Sequence, residues 1–437
     1  MSSAASGLFY HIRLTLGGSL SLSSLSYLYL YTLTQVNMST STIVDKLRDQ
    51  LAQSPDFQAD FEQAFEKAKA SGIPQFQEWG ISTLDDYINY YESFLKWVPT
   101  ENADGTVVLY HICMFYFVLD LIPMINRQSP ILPSSVSPYT WLSQWIIDYA
   151  MEMGKFMDSP DSITEEAIDT FYQAPSYHMQ DYDRVEWKTF NEFFARKIKP
   201  EVRPIDSPGD NSVIVSPADA TFDGFWPVDD SGDCHFDAKG IPWSISQLLD
   251  DKDFQYGPTF NGGKFCHSFL GPSDYHRQHA PVSGKVIEAR VIQGLCYLEV
   301  EVVQDPTTNT PSLAMRRTMN ATDPNAPTKG LLDAPDNPGY QFIQARALIL
   351  IETPDIGLVA VLPIGMAQVS SVVLSVQAGQ TVQKGDEISY FQLGGSDIVM
   401  VFQPEANVNF TASVGTHYAF GKELARASPS QAASTTS

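Results

Sequence analysis

From Ile43 to about Met179, apolar residues recur every three or four positions, the period of helices that turn one face to a core. In STLDDYINYYESFLKWV, Leu84, Ile88, Tyr91 and Leu95 share such a face, and Thr83 with Asp86 has the spacing of a capping box, which predicts a helix start. The run YHICMFYFVLDLIPMI is apolar on all sides and predicts a buried helix ending near Pro123. Further on the period changes. TFNEFFARKIKP places Thr189 and Glu192 at capping-box spacing and predicts a last helix that stops before Pro200. Beyond it, short apolar runs separated by Pro, Gly and Asp clusters predict strands: SVIVS, ATFDGFW, GKVIEARVI, CYLEVEVV, RALILIE, GLVAVLPI, SSVVLSV and ISYFQL. The pattern is that of an α+β protein, a helical N-terminal region followed by a mostly antiparallel β domain.

Four segments follow from this: a variable leader over 1–37, a helical domain over 38–185, a β catalytic domain over 186–424 and a polar, disordered tail over 425–437. The leader is apolar from 8 to 36 but is broken by Arg13, paired glycines and serines, whereas a spanning helix needs about 20 predominantly apolar residues. Met38 opens a more ordinary sequence, so the leader is expected to be a targeting segment or to be missing from the mature protein. The stretch from Gln304 to Gly339, dense in Pro, Asn, Thr and Asp, predicts a long loop that either covers a substrate or has no structure.

The 437 residues carry a formal net charge of −24 and a pI near 4.5, which argues against nucleic acid and anionic lipid surfaces as partners. The densest basic stretch, FFARKIKPEVR, is short and amphipathic and reads as a solvated helix end. Cysteines at 113, 234, 266 and 296 show no paired spacing, so neither a disulfide framework nor a zinc site is expected, and reduced thiols suit a cytoplasmic protein. Cys234-His235 and Cys266-His267 make poor metal pairs, because neighbours on a strand point to opposite faces.

In SYFQLGGSDIVMVF, residues 389 to 402, two glycines and a serine interrupt an alternating strand. A β-bulge alone accounts for that pattern. Two other polar segments give it chemistry: VSPADATFDGFW with Asp219, and GPSDYHRQHAPVSG with His276 and His279. A carboxylate, an imidazole and a hydroxyl are the set that activates a serine, here Ser396. A hydrolase is one outcome, but Ser396 has no GxSxG elbow and runs straight into DIVMVF, another strand. The second outcome is attack on the preceding carbonyl. Gly394 and Gly395 permit the twist that brings Ser396 Oγ to the Gly395 carbonyl. The acyl group then moves from nitrogen to oxygen, β-elimination leaves dehydroalanine, and its hydrolysis gives an N-terminal pyruvoyl group.

Five segments in order, FNEFFARKIKPEVRPI, VSPAD, KGIPWSISQLL, DYHRQHAPVSG and GGSDIVMVF, resemble the phosphatidylserine decarboxylase family of pyruvoyl enzymes over about residues 190 to 402. The helical extension and the loop before GYQFIQARALILIE are similar to a soluble fungal branch that includes tryptophan decarboxylases. The resemblance implies a self-processing carboxy-lyase, a zymogen cut between Gly395 and Ser396 into two chains that stay associated, with Ser396 becoming the pyruvoyl cofactor. It also implies that His279 with Asp219 drives cleavage and that His276 returns a proton to the substrate carbon. The pyruvoyl carbonyl would take the substrate amine as a Schiff base and withdraw the electrons left when carbon dioxide departs. Two substrates compete, a free aromatic L-amino acid such as tryptophan and the serine head group of phosphatidylserine. The acidity of the chain favours the former. Ala220 where the family has glycine, GGSD where GST or GSS is usual, and the loosely matching PIGMAQVSS depart from the pattern and bear on the substrate more than on the chemistry.

A separate stretch, VQAGQTVQKGDEISYFQ, resembles half of a lipoyl or biotinyl carrier, with Lys384 in its turn. The QKGDE turn lacks the Met or Asp-Ala neighbours of a carrier lysine, so a shared hairpin geometry is the expectation.

Overall fold

The computed structural model describes residues 42–235, 241–305, 308–316, 332–333, 339–365 and 372–429; of 332–333 and 395–396 it describes the backbone alone. The leader 1–37, much of the 304–339 stretch and residues 430–437 lie outside the described residues. Two compact units divide the chain at Arg48, and of the first only 42–48 are described, within the helix Ile43–Gln53. Everything below concerns the second unit, which holds both the helical and the β regions.

The helical region is built from Pro55–Lys69, Leu84–Phe94, Val107–Asp120, Trp141–Met157 and Glu165–Tyr172. Thr83 caps the second of these as its sequence predicts: its hydroxyl accepts from Asp86 N at 3.1 Å, and Asp86 Oδ2 accepts from Thr83 N at 2.9 Å. Val107–Asp120 is buried almost throughout, which explains its unbroken apolar run. Aromatic rings fill the space between helices: Tyr91 lies 4.9 Å from Phe115, and Phe115 4.6 Å from Tyr149. Each such ring contributes about 1.5–3 kcal/mol by leaving water.

The helix at Thr189 is shorter than its sequence suggests, spanning Phe190–Phe194. Arg196 then turns inward to 1% exposure and Ile198 bridges to Tyr182, so the basic stretch is an anchored connection and not a solvated helix end.

The main sheet has eight antiparallel strands: β1 Ala220–Pro227, β2 Lys264–Phe269, β3 Gly284–Ile292, β4 Arg346–Thr353, β5 Gly357–Gly365, β6 Thr381–Val382, β7 Gly395–Phe402 and β8 His417–Tyr418. Their order across the sheet is β6-β3-β4-β5-β7-β2-β1-β8. β4 and β5 are buried on both faces, which is why RALILIE and GLVAVLPI read as continuous apolar runs. A small sheet of Val372–Leu374, Glu387–Phe391 and Arg277–His279 sits beside it in sequence and leads directly into β7.

Several expected boundaries shift. β2 has no alternating pattern, because five of its six residues are buried, and the periodicity misses it. The strand Val300–Gln304 takes up only the last four residues of CYLEVEVV and runs one residue past it, and the stretch after it is not all loop: Pro311–Met315 folds back onto this strand and Leu332–Asp333 pairs with its other edge. Glu423–Ala427 pairs with Val213–Val215 and Val408–Phe410, so strand structure continues into the first residues assigned to the tail. Among the described residues, no helix is long and apolar enough to cross a membrane.

Candidate active site

The glycine-serine stretch lies at the start of β7. Gly394 has φ 102°, a conformation that side-chain-bearing residues rarely adopt. On the β5 side, Ile364 pairs with Asp397 and Gly365 with Gly395, so the backbone of Ser396 is the extra residue of a bulge. On the β2 side, pairing begins at Asp397, opposite Phe269. The residue expected to rearrange is thus left out of both ladders, and the residue after it is the first held on both sides.

His276 reaches this place through the backbone and through one short helix. Its carbonyl accepts from Phe391 N at 2.8 Å, at the end of the strand that leads into LGGS. Helix Phe190–Phe194 joins the two: Asn191 Oδ1 accepts from Leu393 N at 3.1 Å, while the Phe194 ring stacks on His276 with centroids 3.9 Å apart. The FNEFF segment is therefore a brace between the imidazole and the LGGS turn.

The His276 ring is fully buried, and neither nitrogen has a well-formed hydrogen bond. Burial, and then the Arg196 cation, hold its pKa well below the usual histidine range, so the ring is uncharged at neutral pH. Arg196 is itself unusual. Its Nε and one terminal nitrogen have no partner, the other donates to the Ser273 carbonyl at 3.3 Å, and the guanidinium lies 4.4 Å from the Tyr182 ring centroid.

His279 is held differently. Nδ1 lies 2.7 Å from the Gly385 carbonyl and so carries the proton, Nε2 accepts from the Tyr275 hydroxyl at 3.1 Å, and the ring stacks on Phe420 at 3.8 Å. Burial lowers its pKa, with a partly opposing pull from the Gly385 carbonyl, which leaves a neutral ring with a basic Nε2. Asp219 does not bond to His279. Its carboxylate receives Arg203 Nη2 at 2.6 Å and the Phe420 amide at 2.8 Å, so the tautomer of His279 is set by a backbone carbonyl and the carboxylate acts on it through the field alone. A cavity of about 480 Å³ opens over Asp219 and Tyr275, lined also by Tyr177, Tyr182, Arg203 and His417.

The structure thus brings Asp219 close to His279, whose amide donates to the Pro217 carbonyl at 2.7 Å, and ties the His276 backbone to the strand that leads into Ser396. Sequence patterns missed Arg196, Arg203, Asn191 and Tyr275, although all four lie in motif segments quoted above. They also missed a set on β1, β2 and β7, in which His267, weighed only as a metal partner of Cys266, stands between the half-buried Asp223, 3.0 Å from Nδ1, and the buried Asp397, 3.5 Å from Nε2. Lys384 is 4% exposed and donates to the carbonyls of Ser207, Asp210 and Val213, so it is an anchor and not the exposed lysine of a carrier domain.

Ser396 is thus a bulged residue one position beyond the left-handed Gly394, and two neutral histidines, His276 and His279, lie at the strand that pairs with the one leading into it. The family model for phosphatidylserine decarboxylase matches residues 190–426, more than half of the chain, and the chain belongs to that family. Among its relatives is decarboxylase iboD of Amanita muscaria, 31% identical over 277 residues that cover 60% of this chain and 75% of that protein. Phosphatidylserine decarboxylase proenzyme 3 of Schizosaccharomyces pombe is 31% identical over 58% of this chain but only 23% of its own length. The proenzyme of Chlamydia muridarum is 29% identical over 54% of this chain and 67% of its own. The chain is a decarboxylase, a carboxy-lyase, of α+β fold.

Proposed function

We propose that this decarboxylase acts on an amino-acid substrate, preferably a free aromatic L-amino acid such as tryptophan, after cutting itself between Gly395 and Ser396 and converting Ser396 to a pyruvoyl group. The observation that carries this is the backbone at the proposed cut: Ser396 bulged out of the ladder one residue beyond Gly394, whose φ is 102°. Such a group suits this place, because an unpaired residue can change its covalent state without breaking the sheet. When formed, it supplies an electrophilic carbonyl that holds the substrate amine and withdraws electrons as carbon dioxide leaves.

The residues around it have separable tasks. His279, neutral and protonated on Nδ1, offers Nε2 as the base for self-cleavage, with Asp219 and Arg203 fixing the charge beside it. His276 serves the substrate: an uncharged ring donates a hydrogen bond through its one N–H, and burial against Phe194 keeps water away. Asn191 and Phe194 keep ring and cleavage turn in register.

Net charge supports a dissolved substrate, since at −24 the chain is repelled by the anionic surfaces in which phosphatidylserine sits. The same charge and four buried free cysteines support a cytoplasmic location. The names of the fission yeast and chlamydial relatives favour the second substrate, phosphatidylserine. Release of labelled carbon dioxide from tryptophan, tyrosine, phenylalanine and phosphatidylserine, with and without vesicles, separates the two. Turnover of an aromatic amino acid, unaffected by vesicles, is expected; turnover of phosphatidylserine alone, stimulated by vesicles, contradicts the proposal.

A further inference from the structure

The set Asp223, His267 and Asp397 is tied to the proposed cut by the sheet itself. Asp397 is the first β7 residue paired on both sides, its side chain is fully buried, and neither carboxylate oxygen has a well-formed hydrogen bond. An unmatched buried carboxylate is costly unless a cation stands near it. The cation is His267, opposite Val399 and therefore on the Asp397 face of the sheet, with Nε2 3.5 Å from Asp397 Oδ1. Asp223 holds its other nitrogen at 3.0 Å from a second bulge, since Phe222 pairs with Ser268 and Gly224 with His267.

His267 has two named states. Burial alone would discharge the ring, but Asp397 and Asp223 outweigh it and hold its pKa at about 9, so the imidazolium faces Asp397 at neutral pH. Above that pH the neutral ring keeps its Nδ1 proton toward Asp223, and Nε2 becomes an acceptor for the Gln341 amide, 3.3 Å away. The charged groups facing His267 are these two carboxylates; the Tyr340 hydroxyl faces Asp397 as well, its pKa pushed well up by burial and then by Asp397 and Asp223.

We propose that Asp223, His267 and Asp397 form a positioning unit for decarboxylation, an anchored imidazolium that fixes Asp397 and, through it, the adjoining end of the small chain that bears the reactive group. This rests on the proposed cut before Ser396. Once the Gly395–Ser396 bond is open, the new chain end is held from one side only, and the Asp397–His267 pair is the first side-chain clamp behind it. The unit is not needed for cleavage, which precedes the freedom it restrains.

The test uses His267→Gln and Asp397→Asn in the full chain. Intact mass reads cleavage, histidine NMR reads ionisation, and kcat against pH reads turnover. In the unsubstituted protein one buried histidine should titrate near pH 9, and kcat should fall as pH rises through that value. Both variants should be cut as usual, with kcat lower by about 100-fold, KM little changed, and, in His267→Gln, no alkaline limb. Unchanged kcat with an unchanged alkaline limb, or a folded variant that stays uncut, overturns the proposal. Should both variants fail to fold, Asp223→Asn decides. Loss of one of two carboxylates should move the alkaline limb and the NMR midpoint to lower pH, and an unmoved limb refutes the unit. If the unsubstituted chain is never cut, it is the proposed function that fails, visibly and by mass alone.

Discussion

The helical region and the neighbourhood of Ser396 both bury many polar groups, but they differ in how completely those groups are matched. In the aromatic core, Tyr87 donates to the Met114 carbonyl at 2.6 Å, Tyr91 to Phe115 at 3.1 Å and Tyr149 to Tyr91 at 2.6 Å. Burial pushes these hydroxyls well up in pKa, so they are neutral and satisfied. The matching there is not complete, since the Tyr116 hydroxyl and Asp120 Oδ1 have no partner, but near β7 it fails across most of a side chain: both nitrogens of His276, both carboxylate oxygens of Asp397 and two nitrogens of Arg196 have no hydrogen-bond partner. Matched polar groups stabilise a fold at little risk, whereas unmatched ones cost stability and persist where a reaction uses them.

Mutations break that comparison in graded fashion. The largest effect is expected for His279→Ala, which removes the proposed cleavage base and should leave an uncut, inactive chain by gel and mass. His276→Ala should be cut normally but lose about 10² to 10⁴-fold in kcat; a variant that is uncut but otherwise folded would exchange the two histidine roles. Arg196→Met removes the cation that helps to keep His276 uncharged. The His276 pKa should then rise toward its ordinary value, and the acid limb of kcat should move to higher pH. An unmoved limb would mean that Arg196 acts by packing alone. The smallest effect belongs to the satisfied core: Tyr149→Phe loses one buried hydrogen bond and should cost about 1 kcal/mol in denaturant unfolding, with kcat unchanged.

What the sequence reveals follows the range of the interaction. The capping pairs Thr83/Asp86 and Thr189/Glu192 are legible because three residues separate the partners. The bulge at Ser396 is legible because its glycine neighbours are local signals of one. The Asp223–His267–Asp397 set is not, because its members are brought together by the register of three strands, and β2, buried on both faces, shows no alternation to mark it. Arg196 is hidden for another reason. A basic run normally marks solvent, and only the ring of Tyr177, Tyr182 and Phe193 around the guanidinium makes this one an interior residue. Asp219 is found by motif, yet its partner Arg203, sixteen residues away, is not predicted from spacing.

The central claim is chemical, that the bulged Ser396 is the point at which the chain opens. Intact-mass measurement of the purified protein tests it most directly. The account predicts two chains, the larger ending at Gly395 and the smaller holding the remaining 42 residues, lighter than the unmodified peptide by one ammonia and closed to Edman degradation. Ser396→Ala should give one uncut chain. A single full-length chain that still releases carbon dioxide would contradict the account.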